Sequence, residues 1–144
     1  MVAYGTKIRK QFLKSLPALA KLIKAVQTVA KERGYLKALD GARLNVRSPH
    51  SALNTLFQSA GALIMKKALV IADTALQKVY TPRKDYEYVL NIHDEIDCEV
   101  MRPEIAEHVG QVLRQSIIDA GVYYKFKCPL DGEAKIGKTW RDIH

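Results

Sequence analysis

The sequence has few cysteines, no long uninterrupted apolar run and, in its first third, almost no acid. Cys98 and Cys128 are its two cysteines. Two thiols without ligand-like spacing exclude a disulfide-stapled secreted scaffold, and both are expected to be reduced. The longest apolar stretch, around Ala60 to Ile71, is broken by Lys66 and Lys67, so no membrane partner is expected. No signal peptide is visible, and the expected location is the cytoplasm. There is no internal repeat and no low-complexity segment.

What is abundant is positive charge, unevenly placed. The 144 residues sum to +8, yet residues 1 to 50 alone carry eleven Lys and Arg against Glu32 and Asp40. Such a segment suits a polyanion, or is simply a solvated helix face. The length is that of one domain, read as residues 1–144, and is enough to bury a core.

Along the chain, Thr6 is read as the cap of a first helix through Lys14. Pro17 fits the first turn of a second helix, which runs to about Arg33 and stops at Gly34. Tyr35–Leu39 and Ala42–Arg47 flank Asp40-Gly41, a dipeptide suited to a two-residue type I′ hairpin turn. Arg43, Asn45 and Arg47 alternate with Leu44 and Val46, which makes one face of that hairpin basic. A long helix is expected from about His50 to Tyr80, with Leu53, Leu56, Phe57, Ala60, Leu63, Ile64, Val70 and Ile71 on its apolar side. On it His50, Asn54 and Gln58 recur every four residues and share a face. Another helix is read from Arg102-Pro103-Glu104 to about Ala120, stopped by Gly121. The alternation of Val122–Cys128 then predicts a strand, and Trp140 is assigned to the core.

Two alternating runs flank His93-Asp94-Glu95, the pattern of a hairpin over about residues 86–100 with an acidic tip. Tyr86, Tyr88, Leu90 and Ile92 are read as one face of its first strand, and Ile96, Cys98 and Val100 as one face of its second. Carboxylate oxygens at an exposed tip suit Mg²⁺ or Mn²⁺, although acids are also common at turns for backbone reasons alone. The amides of Asn54 and Gln58 carry both donors and acceptors, so their stripe suits purine N3 and pyrimidine O2 in a minor groove, or else bonds to neighbouring loops. The fold class that results is α+β: a small antiparallel sheet of hairpins about 35–47 and 86–100 with a C-terminal strand, packed against long helices.

Ile92-His93-Asp94-Glu95-Ile96 resembles the C-terminal active-site motif of family A DNA polymerases, the phage replicative branch in particular. Leu39-Asp40-Gly41, Val46-Arg47-Ser48-Pro49-His50 and Ala52–Ala62 look like the same family, in the right order and at fitting distances. The resemblance runs from about Gly5 to His144 and implies the C-terminal palm portion of a polymerase, in a bacterium or a phage-infected cell. It implies Asp94 as a metal ligand, Glu95 as an auxiliary catalytic acid, and His93 as a contact to the primer strand. His50, Asn54 and Gln58 would touch the minor groove of primer-template DNA, beside Arg43 and Arg47 on the basic hairpin face. The implied cofactor is Mg²⁺ or Mn²⁺, and the implied substrate a dNTP.

The family's first metal-binding carboxylate, its dNTP-binding fingers helix, its thumb and its exonuclease have no counterpart in these residues. The chain alone is therefore expected to be inactive. It would need an N-terminal polymerase polypeptide, or would pair an open sheet edge with a second copy as a homodimer. The alternative is a duplex DNA-binding module without catalysis. A metal hydrolase on Asp94 and Glu95 needs more ligands than the sequence gathers, and His108 has no partner at ligand spacing.

Overall fold

The computed structural model describes residues 2–144, which fall into two compact units, Met1–Ala60 and Gly61–His144. In the first, α1 (Val2–Ser15) is followed by α2 (Pro17–Arg33), β1 (Tyr35–Lys37) and β2 (Arg43–Asn45). α1 begins before Thr6, which lies inside it. Pro17 opens α2, where its missing N–H costs nothing, and Gly34 closes it at φ 72, donating its N–H to the Ala30 carbonyl. β1 and β2 pair antiparallel with Leu36 opposite Leu44.

Their connection is longer than a two-residue turn. The Ala38 N–H bonds the Ala42 carbonyl at 2.9 Å and the Gly41 N–H bonds that of Ala38 at 3.0 Å, with Gly41 at φ 85. Asp-Gly thus serves a three-residue loop ending in a left-handed glycine, and Asp40 Oδ1 accepts the Ala42 N–H. Val26, Ala30, Leu36 and Ala52 form the core of this unit, with Leu44, Val46, Leu53 and Leu56 against it.

A 3-10 turn (Pro49–Ser51) leads into α3 (Ala52–Leu76). By length and composition Pro49–Leu76 could cross a membrane, although Lys66 and Lys67 interrupt it. Ile64, Ala68, Ala72 and Leu76 are buried at intervals of four, the spacing of a helix face turned to a core. Phe57 and Val70, expected on that side, are exposed.

In the second unit follow β3 (Tyr86–Ile92), β4 (Glu95–Val100) and α4 (Ala106–Tyr123). Leu76, Tyr86, Ile105 and Val109 make one cluster, with Tyr88, Cys98, Val100, Val112 and Leu113 packed on it. Ile64, Ala68 and Ala120 make another with Ile117, Tyr124 and Leu130. Buried Asp85 joins the start of the hairpin to the segment before α4: it accepts the Thr81 N–H at 2.8 Å and meets Arg102 at 3.4 Å.

The fold class is α+β, helices with small antiparallel sheets, and two particulars differ from the expectation. The hairpins are separate two-stranded sheets. Val122–Cys128 is not a strand among the described residues: α4 continues through Gly121 to Tyr123 and ends in a Schellman cap. There the Phe126 N–H reaches the Gly121 carbonyl and the Lys125 N–H that of Val122, both at 2.9 Å, with Lys125 at φ 53. Gly121 does not stop the helix. It lets Leu130 approach, since a Cβ there would lie 3.0 Å from Leu130 Cδ1.

Candidate active site and nucleic-acid surface

β3 and β4 pair from Tyr86 opposite Val100 to Ile92 opposite Glu95, with a bulge between Tyr88 and Leu90. The extra residue, Val89, reverses the pleat beyond it. Below the bulge Tyr86 and Tyr88 face the core with Cys98 and Val100, as the alternation predicts. Above it Leu90 and Ile92 turn to the face of Glu95 and Asp97, where they are 39% and 46% exposed. The single apolar face expected along the whole of β3 is therefore cut short.

His93 and Asp94 form the two-residue tip, and His93 is left-handed at φ 53, a conformation that histidine tolerates better than bulkier residues. His93, Asp94 and Glu95 are exposed. Among the described residues the Asp94 and His93 side chains make no hydrogen bond or ion pair. The stem below them is apolar: burial pushes the Cys98 thiol up to about 11 and raises the Tyr88 hydroxyl as well.

Glu95 is engaged differently. Its Oε1 lies 2.7 Å from His144 Nε2, and Glu95, Asp97 and His144 can bring one ligand atom each within 4.8 Å of one another. The Oδ2 atom of Asp97 is shielded from solvent and has no hydrogen-bond partner. His144 is held by the short helix α5 (Trp140–Ile143). Thr139 and Asp142 form a capping box at its start, and a Cβ on Gly137 would stand 2.5 Å from that of Asp142. The Trp140 ring stacks on that of His144 at 3.8 Å and 15°.

Trp140, expected in the core, is 52% exposed because its contact is this stack at the surface. The His144 imidazole is raised above its ordinary value, first by its bond to the Trp140 carbonyl and then by Glu95 and Asp97, with burial opposing. The roles of Asp97 and His144 beside Glu95 were not anticipated from the sequence. The Trp140/His144 spacing of four was the available signal.

In the first unit Arg43, Arg47, His50, Asn54 and Gln58 are all exposed. The Asn54 and Gln58 amides make no hydrogen bond within the described residues, so the row is not occupied by neighbouring loops. Arg47 is likewise unpaired, whereas the Arg43 guanidinium sits 4.0 Å over the Tyr35 ring. The structure thus leaves free donors and acceptors on the helix and cationic groups on the hairpin.

The model for DNA polymerase family A matches residues 4–142. The DNA-directed DNA polymerase of Enterobacteria phage T3 is 36% identical over 97% of this chain and 22% of its own length. That of Escherichia phage T7 is 34% identical over the same shares, and DNA polymerase I of Aquifex aeolicus is 31% identical over 92% of this chain and 23% of its own. A solved structure, the POL domain of Pol1 from M. smegmatis in complex with DNA primer-template and dNTP, superposes with a TM-score of 0.67 at 21% identity. That match covers 78% of this chain and 21% of that one, and at this identity it speaks for the fold. The chain spans under a quarter of the length of the curated relatives it matches. With its helices, its acidic hairpin and a family match over nearly its whole length, the chain belongs to DNA polymerase family A.

Proposed function

We propose that this chain is the C-terminal palm part of a DNA-directed DNA polymerase and takes part in template-directed nucleotidyl transfer. The observation that carries the reading is Asp94: an exposed carboxylate without a partner, set by a left-handed His93 on a hairpin whose base packs into the core through Tyr86. Its oxygens suit a hard cation. Bound Mg²⁺ or Mn²⁺ would activate the primer 3′-hydroxyl and neutralise charge on the triphosphate of the dNTP. Asp94 is the metal ligand in this reading, Glu95 the neighbouring acid and His93 a contact to the primer strand.

The unbonded amides of Asn54 and Gln58, with His50, fit the minor groove of primer-template DNA. Its acceptors hardly depend on sequence, as an enzyme copying any template requires. Arg47 and Arg43 offer their charge to phosphates. The family's other bridging carboxylate has no counterpart in these 144 residues. Losing one member of such a unit removes most of the activity, so the chain alone is inactive and is completed by an N-terminal polymerase polypeptide, or pairs a hairpin edge with a second copy.

The test is primer extension with Mg²⁺ and dNTPs, by the chain alone and mixed with an N-terminal polymerase fragment. Extension is expected only on mixing and is expected to disappear in Asp94→Ala. Extension by the chain alone would refute the requirement for a partner. Full activity in the Asp94→Ala mixture would refute the metal assignment. The free amide row favours a second reading, a duplex-binding module without catalysis. Salt-sensitive duplex binding with no extension on mixing would select it.

A further inference from the structure

We propose that the exposed apolar side of α1 docks on the outer, acidic face of the β3–β4 hairpin of a second copy of this chain. The inference does not rest on the polymerase reading, because its readout is association. Tyr4, Ile8 and Phe12 stand four residues apart and share one side of α1, and Leu16 follows at the same spacing. All four are at least 43% exposed, whereas Leu13, on the other side of the helix, is half-buried. α1 packs on α2 and still leaves this stripe bare.

The charge around the stripe is of one sign. α1 has no acid, and its cations Lys7, Arg9, Lys10 and Lys14 make no ion pair among the described residues. Their complement is a surface with an apolar centre and acids around it. A second α1 is not that surface, since joining two stripes would set cation against cation. The hairpin supplies one. Below the bulge Glu87 stands opposite Glu99, and above it Leu90 stands opposite Asp97 and Ile92 opposite Glu95. These six side chains share the face turned away from the core. Leu90 and Ile92 are exposed on it, and the Glu99 carboxylate makes no hydrogen bond or ion pair among the described residues.

The two faces also agree in length. Tyr4 to Leu16 spans roughly 18 Å of chain at the helical rise, and Tyr86 to Ile92 roughly 20 Å of strand. A helix laid along an open sheet face is a stable layer arrangement, because each buries the apolar side of the other. The stripe then covers Leu90 and Ile92 while its cations lie against the four acids. Because the joined faces differ, the contact closes when each copy gives its α1 and receives that of the other, and otherwise runs on from copy to copy.

The experiment is sedimentation equilibrium of the nucleic-acid-free chain from micromolar to submillimolar concentration, in a reducing buffer that excludes a disulfide through the exposed Cys128. A parallel arm measures co-sedimentation with phosphatidylserine vesicles. Reversible association beyond the monomer is expected, weakening as salt rises. Phe12→Glu is expected to weaken it at least about tenfold. Lys7→Glu with Arg9→Glu in one protein, and Glu87→Lys with Glu99→Lys in another, are each expected to weaken self-association. Mixing those two proteins is expected to restore it, since the exchanged charges complement each other again. Circular dichroism confirms that each variant is folded. A chain that stays monomeric throughout overturns the proposal, and vesicle binding in that case would give the stripe to a lipid surface. Association unchanged by Phe12→Glu would place the contact elsewhere, as on a hairpin edge, and a mixture that does not recover would remove the acidic face as the partner; either result overturns it as well.

Discussion

The two compact units spend their polar groups in opposite ways. In residues 61–144 acids and bases nearly balance in number, and Asp85 with Arg102, Arg102 with Glu104 and Arg114 with Asp131 form ion pairs. In Met1–Ala60 the side chains of Arg47, Asn54 and Gln58 make no bond within the described residues, and the charge is strongly positive. Asp94 shares its lack of a partner with Glu99, Glu107 and Glu133, and differs from them in its place at the tip of the hairpin.

The strongest way to break the contrast is through the core under the hairpin. Leu76 is 1% exposed, and Leu76→Ala is expected to cost about 2–5 kcal/mol, read as a lower urea midpoint followed by Trp140 fluorescence. A loss below about 1 kcal/mol would mean that this cluster does not anchor the matched unit.

A smaller effect comes from acid. The Thr81 N–H first, and then Arg102, hold the Asp85 carboxyl below its ordinary value, and bonds to Arg114 and Gly132 do the same for Asp131. A depressed carboxyl contributes stability that is present above its unfolded value of 3.8. That stability is lost as pH falls through the lower folded value. Acid unfolding of residues 61–144 should therefore set in below about pH 4, with a shallower dependence in Asp85→Asn. An identical acid profile in that variant would remove Asp85 from the account.

The smallest effect sharpens the other side. Arg47→Ala should leave stability unchanged, weaken duplex binding evenly across sequences and lower the salt slope by about one. A sequence-dependent loss would instead mark Arg47 as reading bases.

Much of this was legible locally. Pro17 and Gly34 bound their helix because their backbone restrictions act within one turn, and the four-residue spacing of His50, Asn54 and Gln58 needed only helix geometry. The acidic tip was legible because alternation stops and restarts around it. Val122–Cys128 was misread because an alternating run looks the same whether it forms a strand or the end of a helix, and Tyr124 and Leu130 packing on Ile64 and Ala120 decides for the helix. The bulge left no local mark, since Val89 is as apolar as its neighbours. The bond between His144 and Glu95 joins residues 49 apart in sequence, a distance at which periodicity is silent.

The bulge also fixes how this hairpin can vary. Because the surplus residue is absorbed at Val89, the side that each later position presents follows its partner on β4 and not its place in the alternation of the sequence. Replacing Val89 by another residue keeps the bulge; deleting it would set six residues against six in unbroken alternation, with Leu90 still opposite Asp97 and Ile92 still opposite Glu95. Val89 is therefore the position of β3 whose loss keeps the remaining pairs in register, whereas losing a paired residue beyond it would shift the tip by one and exchange its two faces.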